Sequence, residues 1–320
     1  MKLSLSSAPA HQERTNLAKV FDRVQWGLAI LIGAALLLVP LTGFPALFPA
    51  LIASVLFSSL HGVRRYGVRS ILFFSVVTFL VSNAYENISV LTGFPFGNYH
   101  YVSGLFLLYV PIEIGPIYIA LGYISWVTAA TILDRADEHL DCRTRAGRVN
   151  TIILPMLAAA MMTAYDLGTD SMAAGIAKQW VWHDGGGVFG VPYTNYLGWW
   201  LATYTFFQIF ALWLSARQTK AGQRVNPSSQ LQPIIIYGCL GLTSIPTFFS
   251  FNGPATMTDG AGVSWSTHAA IETLMTVNIF TVFTFAALAI FKIVRGDLGQ
   301  PRSQDGARSA ILNGPKNEKA

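Results

Sequence analysis

The chain has 320 residues, of which 52% are hydrophobic and 12% charged, with a mean hydropathy of +0.46. Soluble globular domains carry about 25% charged residues, so a water-soluble enzyme is excluded. The net charge of +5 comes from short basic runs between long apolar stretches, which marks membrane topology and not a nucleic-acid surface.

Residues 1–23 are mostly polar and read as a disordered cytoplasmic tail without the pattern of a cleaved signal peptide. Apolar stretches follow at about Val24–Leu41, Ala46–Leu60, Ser70–Val90, Leu105–Leu133, Asn150–Leu167, Tyr196–Ser215, Leu231–Phe249 and Ala270–Ile293. Each approaches or exceeds the roughly 20 residues that cross a hydrocarbon core. They predict an all-α, polytopic transmembrane bundle of about eight helices over residues 24–295, followed by a disordered polar tail at 296–320. The second span is short. The fourth is long and carries Pro111 and Gly115-Pro116, which predict a kink or partial unwinding. Leu41-Thr-Gly-Phe-Pro45 recurs as Leu91-Thr-Gly-Phe-Pro95, each between two spans, and either a duplicated hairpin or a turn used twice explains the repeat.

Of the 21 Lys and Arg residues, all but Lys178 fall in the two tails or in the segments 61–69, 134–149 and 216–230. Basic residues cross membranes poorly, so this alternation predicts a multi-pass protein of the cell membrane with both termini cytoplasmic. Cys142 lies in a charged loop and Cys239 in an apolar helix, which argues against a disulfide, and no Cys/His metal spacing occurs.

Seven carboxylates lie outside the basic segments: Glu86, Glu113, Asp166, Asp170, Asp184, Asp259 and Glu272. Glu86, Glu113, Asp166 and Glu272 fall in or just inside four different spans at similar depth. Ionisable groups there cost several kcal/mol and normally face a bundle interior, so one shared polar pocket is expected. Two loops flank it. Thr92-Gly-Phe-Pro-Phe-Gly-Asn-Tyr-His-Tyr101 offers Phe96, Tyr99 and His100, and the long segment from Asp166 to Asn195 offers Trp180, Trp182, His183, Tyr193 and Asn195. These residues read as an apolar wall and lid, against the plainer reading of aromatics in an interfacial belt. Asp166 and Asp170, spaced i and i+4, would share a helix face. Asp137 and Asp141 form a second such pair on the opposite membrane face, within a charge run, so the two pairs cannot build one prenyltransferase-like site. His100, His183 and His268 share a compartment but lack helical ligand spacing, and no metal is expected.

The stretch Thr92-Gly-Phe-Pro-Phe-Gly-Asn-Tyr99, the Pro111/Gly115-Pro116 segment, and Asp166 through Trp180-Val-Trp182 to Phe189-Gly-Val-Pro-x-x-Asn195-x-x-Gly-Trp199 resemble the membrane-bound carotenoid biosynthesis family. That family includes carotenoid 1,2-hydratases and bisanhydrobacterioruberin hydratases. The resemblance implies a hydro-lyase, free of cofactors and metals, that adds water across the terminal C1–C2 double bond of an acyclic carotenoid end to give a tertiary alcohol. Its partners would be a lycopene-like or longer polyene, membrane lipid and other enzymes of the pathway. Such chemistry needs a carboxylic acid that keeps its proton in an apolar pocket, a group to orient water and aromatic faces beside the cation. Glu86, Glu113 and Asp166 are the expected acid and base, Asp170 and Glu272 their support, and Phe96, Tyr99, His100, Trp180, Trp182, Tyr193 and Asn195 the substrate-facing set. A cyclase or prenyltransferase, a small-molecule transporter and a non-catalytic subunit of a carotenoid complex remain open from the residues alone.

Overall fold

The structure, a computed structural model, describes residues 8–42, 47–217 and 227–296. Over these residues the protein is an all-α bundle, and seven helices are long and apolar enough to cross a membrane. In chain order the helices are α1 (Ala8–Thr42), α2 (Leu47–Tyr66), α3 (Val68–Thr92), α4 (Ile114–Ile132), α5 (Arg145–Leu167), α6 (Asp170–Gly175) and α7 (Tyr193–Arg217). They continue with α8 (Pro227–Leu242), α9 (Ser244–Ser250), α10 (Thr267–Asn278) and α11 (Thr284–Arg295), the last two joined through a π-helical turn at Ile279–Phe283.

Three boundaries differ from the sequence expectation. Helix α1 starts at Ala8, because the polar segment before the first span is rich in Ala, Gln, Glu, Arg, Leu and Lys, all good helix formers. Helix α2 is 20 residues long but is not among the seven apolar helices; Ser58, Ser59, His61, Arg64 and Arg65 make its second half polar. The fourth span begins at Ile114 and not at Leu105. Residues before it form a hairpin of β2 (Phe106–Leu107) with β3 (Val110–Pro111). Branched and aromatic residues favour strands, and Pro111, which cannot donate to a helix ladder, ends the hairpin. The first copy of the repeat extends into residues 43–46 and the tail from 297 onward is likewise outside the described residues; the second copy forms the αL cap of α3 at Gly93.

Helix α4 is the hub. Nearly every side chain from Tyr118 to Thr131 is buried, and α4 packs against α2, α3, α5, α8 and α11. A helix apolar on all sides belongs in an interior. Helix α7 lies against α3 and α5, and its Phe207 and Phe210 meet Trp126 of α4 at ring-centroid distances of 5.6 and 5.2 Å.

The basic ends of the helices gather at one end of the bundle. Lys292 pairs with Asp134 at 2.7 Å and Arg64 with Asp22 at 3.5 Å. Arg65 is bound to Asp137 at 2.7 Å, with side chains only 3% and 0% exposed. Tyr66 donates to the same carboxylate oxygen at 2.5 Å, and the Trp126 indole donates to Tyr66 at 3.0 Å. Nearby, His61 contacts the Ser229 carbonyl through Nε2 at 2.8 Å and the Tyr123 hydroxyl through Nδ1 at 2.5 Å. A carbonyl only accepts, so Nε2 carries the hydrogen and Nδ1 accepts from Tyr123.

Removing one partner of a buried ion pair strands the other charge, at about 3–5 kcal/mol. Arg65→Met is therefore expected to lower the unfolding temperature of the protein in lipid nanodiscs, and Arg65→Met with Asp137→Leu to recover most of the loss. A single variant as stable as the parent would contradict the burial of this pair.

Candidate functional site

The opposite end of the bundle holds a different set of polar groups. Glu86 on α3, Asp166 near the end of α5 and Asp170 at the start of α6 are 4%, 5% and 2% exposed. Each is held by donors from other segments. Glu86 Oε2 accepts from the hydroxyls of Tyr99, in a short contact, and Tyr101, at 3.0 Å, while Oε1 accepts from Tyr118 of α4 at 2.8 Å. The Asn195 amide of α7 donates to Asp166 Oδ2 at 2.8 Å and to Asp170 Oδ2 at 2.6 Å. The Trp180 indole donates to Asp170 Oδ1 at 2.8 Å.

Local structure explains why these side chains converge. Strand β1 (Tyr99–Tyr101) pairs antiparallel with β4 (Trp180–Trp182), in the register Tyr99↔Trp182, His100↔Val181, Tyr101↔Trp180. Strand side chains alternate between faces. Tyr99, Tyr101, Trp180 and Trp182 therefore share the face toward the carboxylates, and His100 is on the other. Gly97 has φ +131°, which L side chains rarely adopt, and a Cβ there would meet Pro192 at 3.1 Å. The turn into β1 thus depends on glycine. The β4 loop is in turn clasped by a hairpin of β5 (Thr256–Thr258) with β6 (Ser264–Ser266), where a Cβ on Gly260 would lie 2.0 Å from the Trp182 carbonyl.

Each of the three tyrosines also packs its ring on a tryptophan. Tyr99 meets Trp182 at 4.7 Å, Tyr101 meets Trp180 at 5.9 Å, and Tyr118 stacks on Trp199 at 4.7 Å. Burial, followed by the Glu86 carboxylate, pushes the Tyr99 and Tyr101 hydroxyls well above the ordinary tyrosine value, so both stay donors. Glu86 lies within electrostatic reach of both aspartates. Trp182 stands beside Asp170 without closing a hydrogen bond of ordinary geometry. The Tyr196 hydroxyl is buried without a hydrogen-bond partner, within electrostatic reach of both aspartates.

Not every expected residue joins this centre. Asp166 and Asp170 do not sit on one continuous helix face, because the chain breaks between α5 and α6 at Gly168; Asn195 brings the two carboxylates together nonetheless. Glu113 is half-buried at the junction of β3 with α4. Glu272 is exposed on α10 and is not among the groups that bond to or act electrostatically on the three buried carboxylates. The single pocket drawn from four spans is therefore corrected: Asp170 takes the place given to Glu113 and Glu272. Phe96 is buried with Tyr99 and Trp182 in a small apolar cluster. Tyr193 is 71% exposed. His100 is exposed and contacts His183 through ring nitrogens 2.7 Å apart, while His268 packs on Phe248 at 4.8 Å. Asp184 accepts from Asn98 at 2.7 Å and Asp259 accepts from the backbone of its own hairpin. Among the described residues no group of three or more His, Cys, Asp or Glu is placed to hold a metal ion. Tyr101, Tyr118, Tyr196 and Trp199 are not in the expected substrate-facing set, although Tyr101 and Trp199 end the two quoted motifs. Tyr101 was accessible through the two-residue alternation from Tyr99, whereas Tyr118 sits in an apolar helix that gives no such signal.

A family model described as "Carotenoid biosynthesis protein" matches residues 46–263, more than half of the chain. The match includes every residue that touches the three buried carboxylates and stops short of Glu272. Neither the curated proteins nor the solved structures contain a match to the chain.

A hydrogen bond to a charged group is worth about 1.5–3 kcal/mol. Tyr101→Phe removes one of the two donors on Glu86 Oε2 while keeping the ring on Trp180. It is expected to lower thermal stability by that order in nanodiscs, and Tyr101→Phe with Glu86→Leu to cost less than the two changes added. Strict additivity in this double-mutant cycle would show that the two side chains do not interact.

Proposed function

The chain belongs to the carotenoid biosynthesis protein family, and from that premise we propose that it hydrates the terminal double bond of an acyclic carotenoid end. The observation that carries this reading is the meeting of three buried carboxylates, Glu86, Asp166 and Asp170, inside a shell of tyrosine and tryptophan rings.

The two kinds of carboxylate divide the work. Glu86 accepts three hydroxyl donors, an arrangement suited to a fixed negative charge. Asp166 and Asp170 converge on one amide, and the proton used in the reaction resides on this pair. The pair transfers it to the less substituted carbon of the terminal alkene, leaving a tertiary cation. Glu86 and the faces of Trp180, Trp182 and Trp199 stabilise that cation. A water held by Tyr196 adds to the cationic carbon, and its proton returns to the aspartate pair. The sum is one water gained per end, with no oxidant or reductant consumed. The polyene is a lycopene-like or longer hydrocarbon that reaches the site from the bilayer. The protein acts in the cell membrane, with the basic end of the bundle toward the cytoplasm.

A prenyl transfer would need two aspartate pairs around one pyrophosphate. Asp137 is locked to Arg65 at the other end of the bundle from Asp166, which weighs against that alternative.

Expression in a host that accumulates lycopene, with pigments analysed by mass, tests the proposal. The expected product carries one added water per modified end, and unchanged pigment across several acyclic carotenoids would refute it. General acid–base catalysis contributes about 100- to 10,000-fold. Asp166→Asn and Asp170→Asn are therefore expected to reduce hydration by at least about 100-fold, while Glu113→Gln and Glu272→Gln leave it unchanged. Full activity in both aspartate variants, with the protein folded, would remove the pair from the mechanism.

A further inference from the structure

The hairpin of β2 and β3 exposes a run of apolar residues where a loop between spans is normally polar. Leu105 and Leu108 are 73% and 76% exposed, and Phe106, Leu107, Tyr109 and Ile112 are exposed as well. Its turn is two residues long, Leu108-Tyr109, and Leu108 has φ +62°. Glycine is the usual occupant of that first turn position. A leucine there keeps apolar surface at the tip at the expense of backbone strain.

The depth of the tip is fixed by one hydrogen bond. The Tyr109 N–H donates to Asn87 Oδ1 at 2.9 Å, and the Asn87 amide donates in turn to the Asn83 carbonyl at 2.8 Å. Helix α3 has 25 residues and is therefore about 37 Å long. Centred on a hydrocarbon core of roughly 30 Å, it extends roughly 3–4 Å beyond the core at each end. Asn87 precedes Thr92, the last residue of α3, by five positions, so it stands about 7–8 Å inside the helix end. The hairpin tip is thus roughly 4 Å below the hydrocarbon boundary. The exposed face of α3 nearby is apolar too, with Val76, Leu80, Ile88 and Leu91 all turned outward, so the hairpin surface continues the lipid-facing stripe of the helix. Its backbone is paired in part, through Phe106↔Pro111 and Leu107↔Val110, the Ile112 N–H donates to the Leu105 carbonyl at 2.8 Å, and Pro111 has no N–H to satisfy. This pairing reduces the number of backbone groups left to find partners at membrane depth, where each unsatisfied one is costly.

We propose that the hairpin Phe106–Pro111 is immersed in the hydrocarbon of the leaflet next to Glu86, with lipid acyl chains as its partner, and is not an aqueous loop. It forms an apolar sill beside α3 at the level of the buried carboxylates.

Spin labelling tests this in the full chain in lipid nanodiscs. Cys142→Ser and Cys239→Ala remove the native thiols, and Leu108→Cys carries the label. Thr258→Cys, on the exposed polar hairpin of β5 and β6, is the aqueous control. Oxygen concentrates in hydrocarbon and a charged nickel chelate in water. The label at 108 is expected to show oxygen accessibility several-fold above that of the chelate, and the label at 258 the reverse. A label at 108 that behaves like the one at 258 would overturn the proposal, and so would one shielded from both reagents, which would mean a protein partner. An independent readout is Leu108→Asp, since aspartate tolerates this backbone conformation but is costly in hydrocarbon. The unfolding temperature is expected to fall, whereas an unchanged or higher value would place the tip in water. Neither measurement depends on the reaction that the protein catalyses.

Discussion

The arrangement at the carboxylate end of the bundle follows from the burial of Glu86, Asp166 and Asp170. A buried carboxylate that loses hydration must recover it from protein donors, or the cost is several kcal/mol per group. Helices alone cannot supply enough donors, since their backbone N–H groups are already bonded within the helix. Two connecting segments therefore leave the helical regime and pair as β1 and β4, bringing Tyr99, Tyr101 and Trp180 within hydrogen-bond distance. The break between α5 and α6 has the same origin, because it lets Asp166 and Asp170 reach a single amide of Asn195 from two separate helices.

The donors are also walls. Tyr99, Tyr101 and Tyr118 each point a hydroxyl at Glu86 and rest a ring on Trp182, Trp180 and Trp199 respectively. A single residue type thus satisfies the charge and surrounds it with quadrupoles that attract cations. Replacing tyrosine by serine or asparagine would keep a donor but lose the wall.

Much of this was visible in the sequence, for identifiable reasons. Hydropathy and the spacing of Lys and Arg gave the helix order, because crossing a hydrocarbon core demands a fixed length of apolar chain. The span starting at Ile114 extends to Leu105 in a sequence reading because Leu105 to Ile112 is as apolar as a helix, and apolar character alone cannot separate a hairpin from the first turns of a span. Asp166, Asp170 and Glu86 stood out since charges in apolar helices are rare. Glu113 and Glu272 stood out for the same reason, and what distinguishes them is tertiary: Glu113 falls in the turn before α4 and Glu272 on the exposed face of α10. Tyr118 was invisible because a tyrosine in an apolar helix is common, and only its contact with Glu86 gives it a role.

Between the two polar ends of the bundle lies an aromatic layer. Phe74, Phe206 and Phe207 are fully buried there, and Phe206 separates Tyr118, which binds Glu86, from Phe74, which packs on Tyr123 and through it on His61. Proton hopping needs an unbroken chain of exchangeable hydrogens, and benzene rings offer none. Along this stack no hydrogen-bonded path joins Glu86 to His61, so a change of protonation at one end is not handed through these rings to the other.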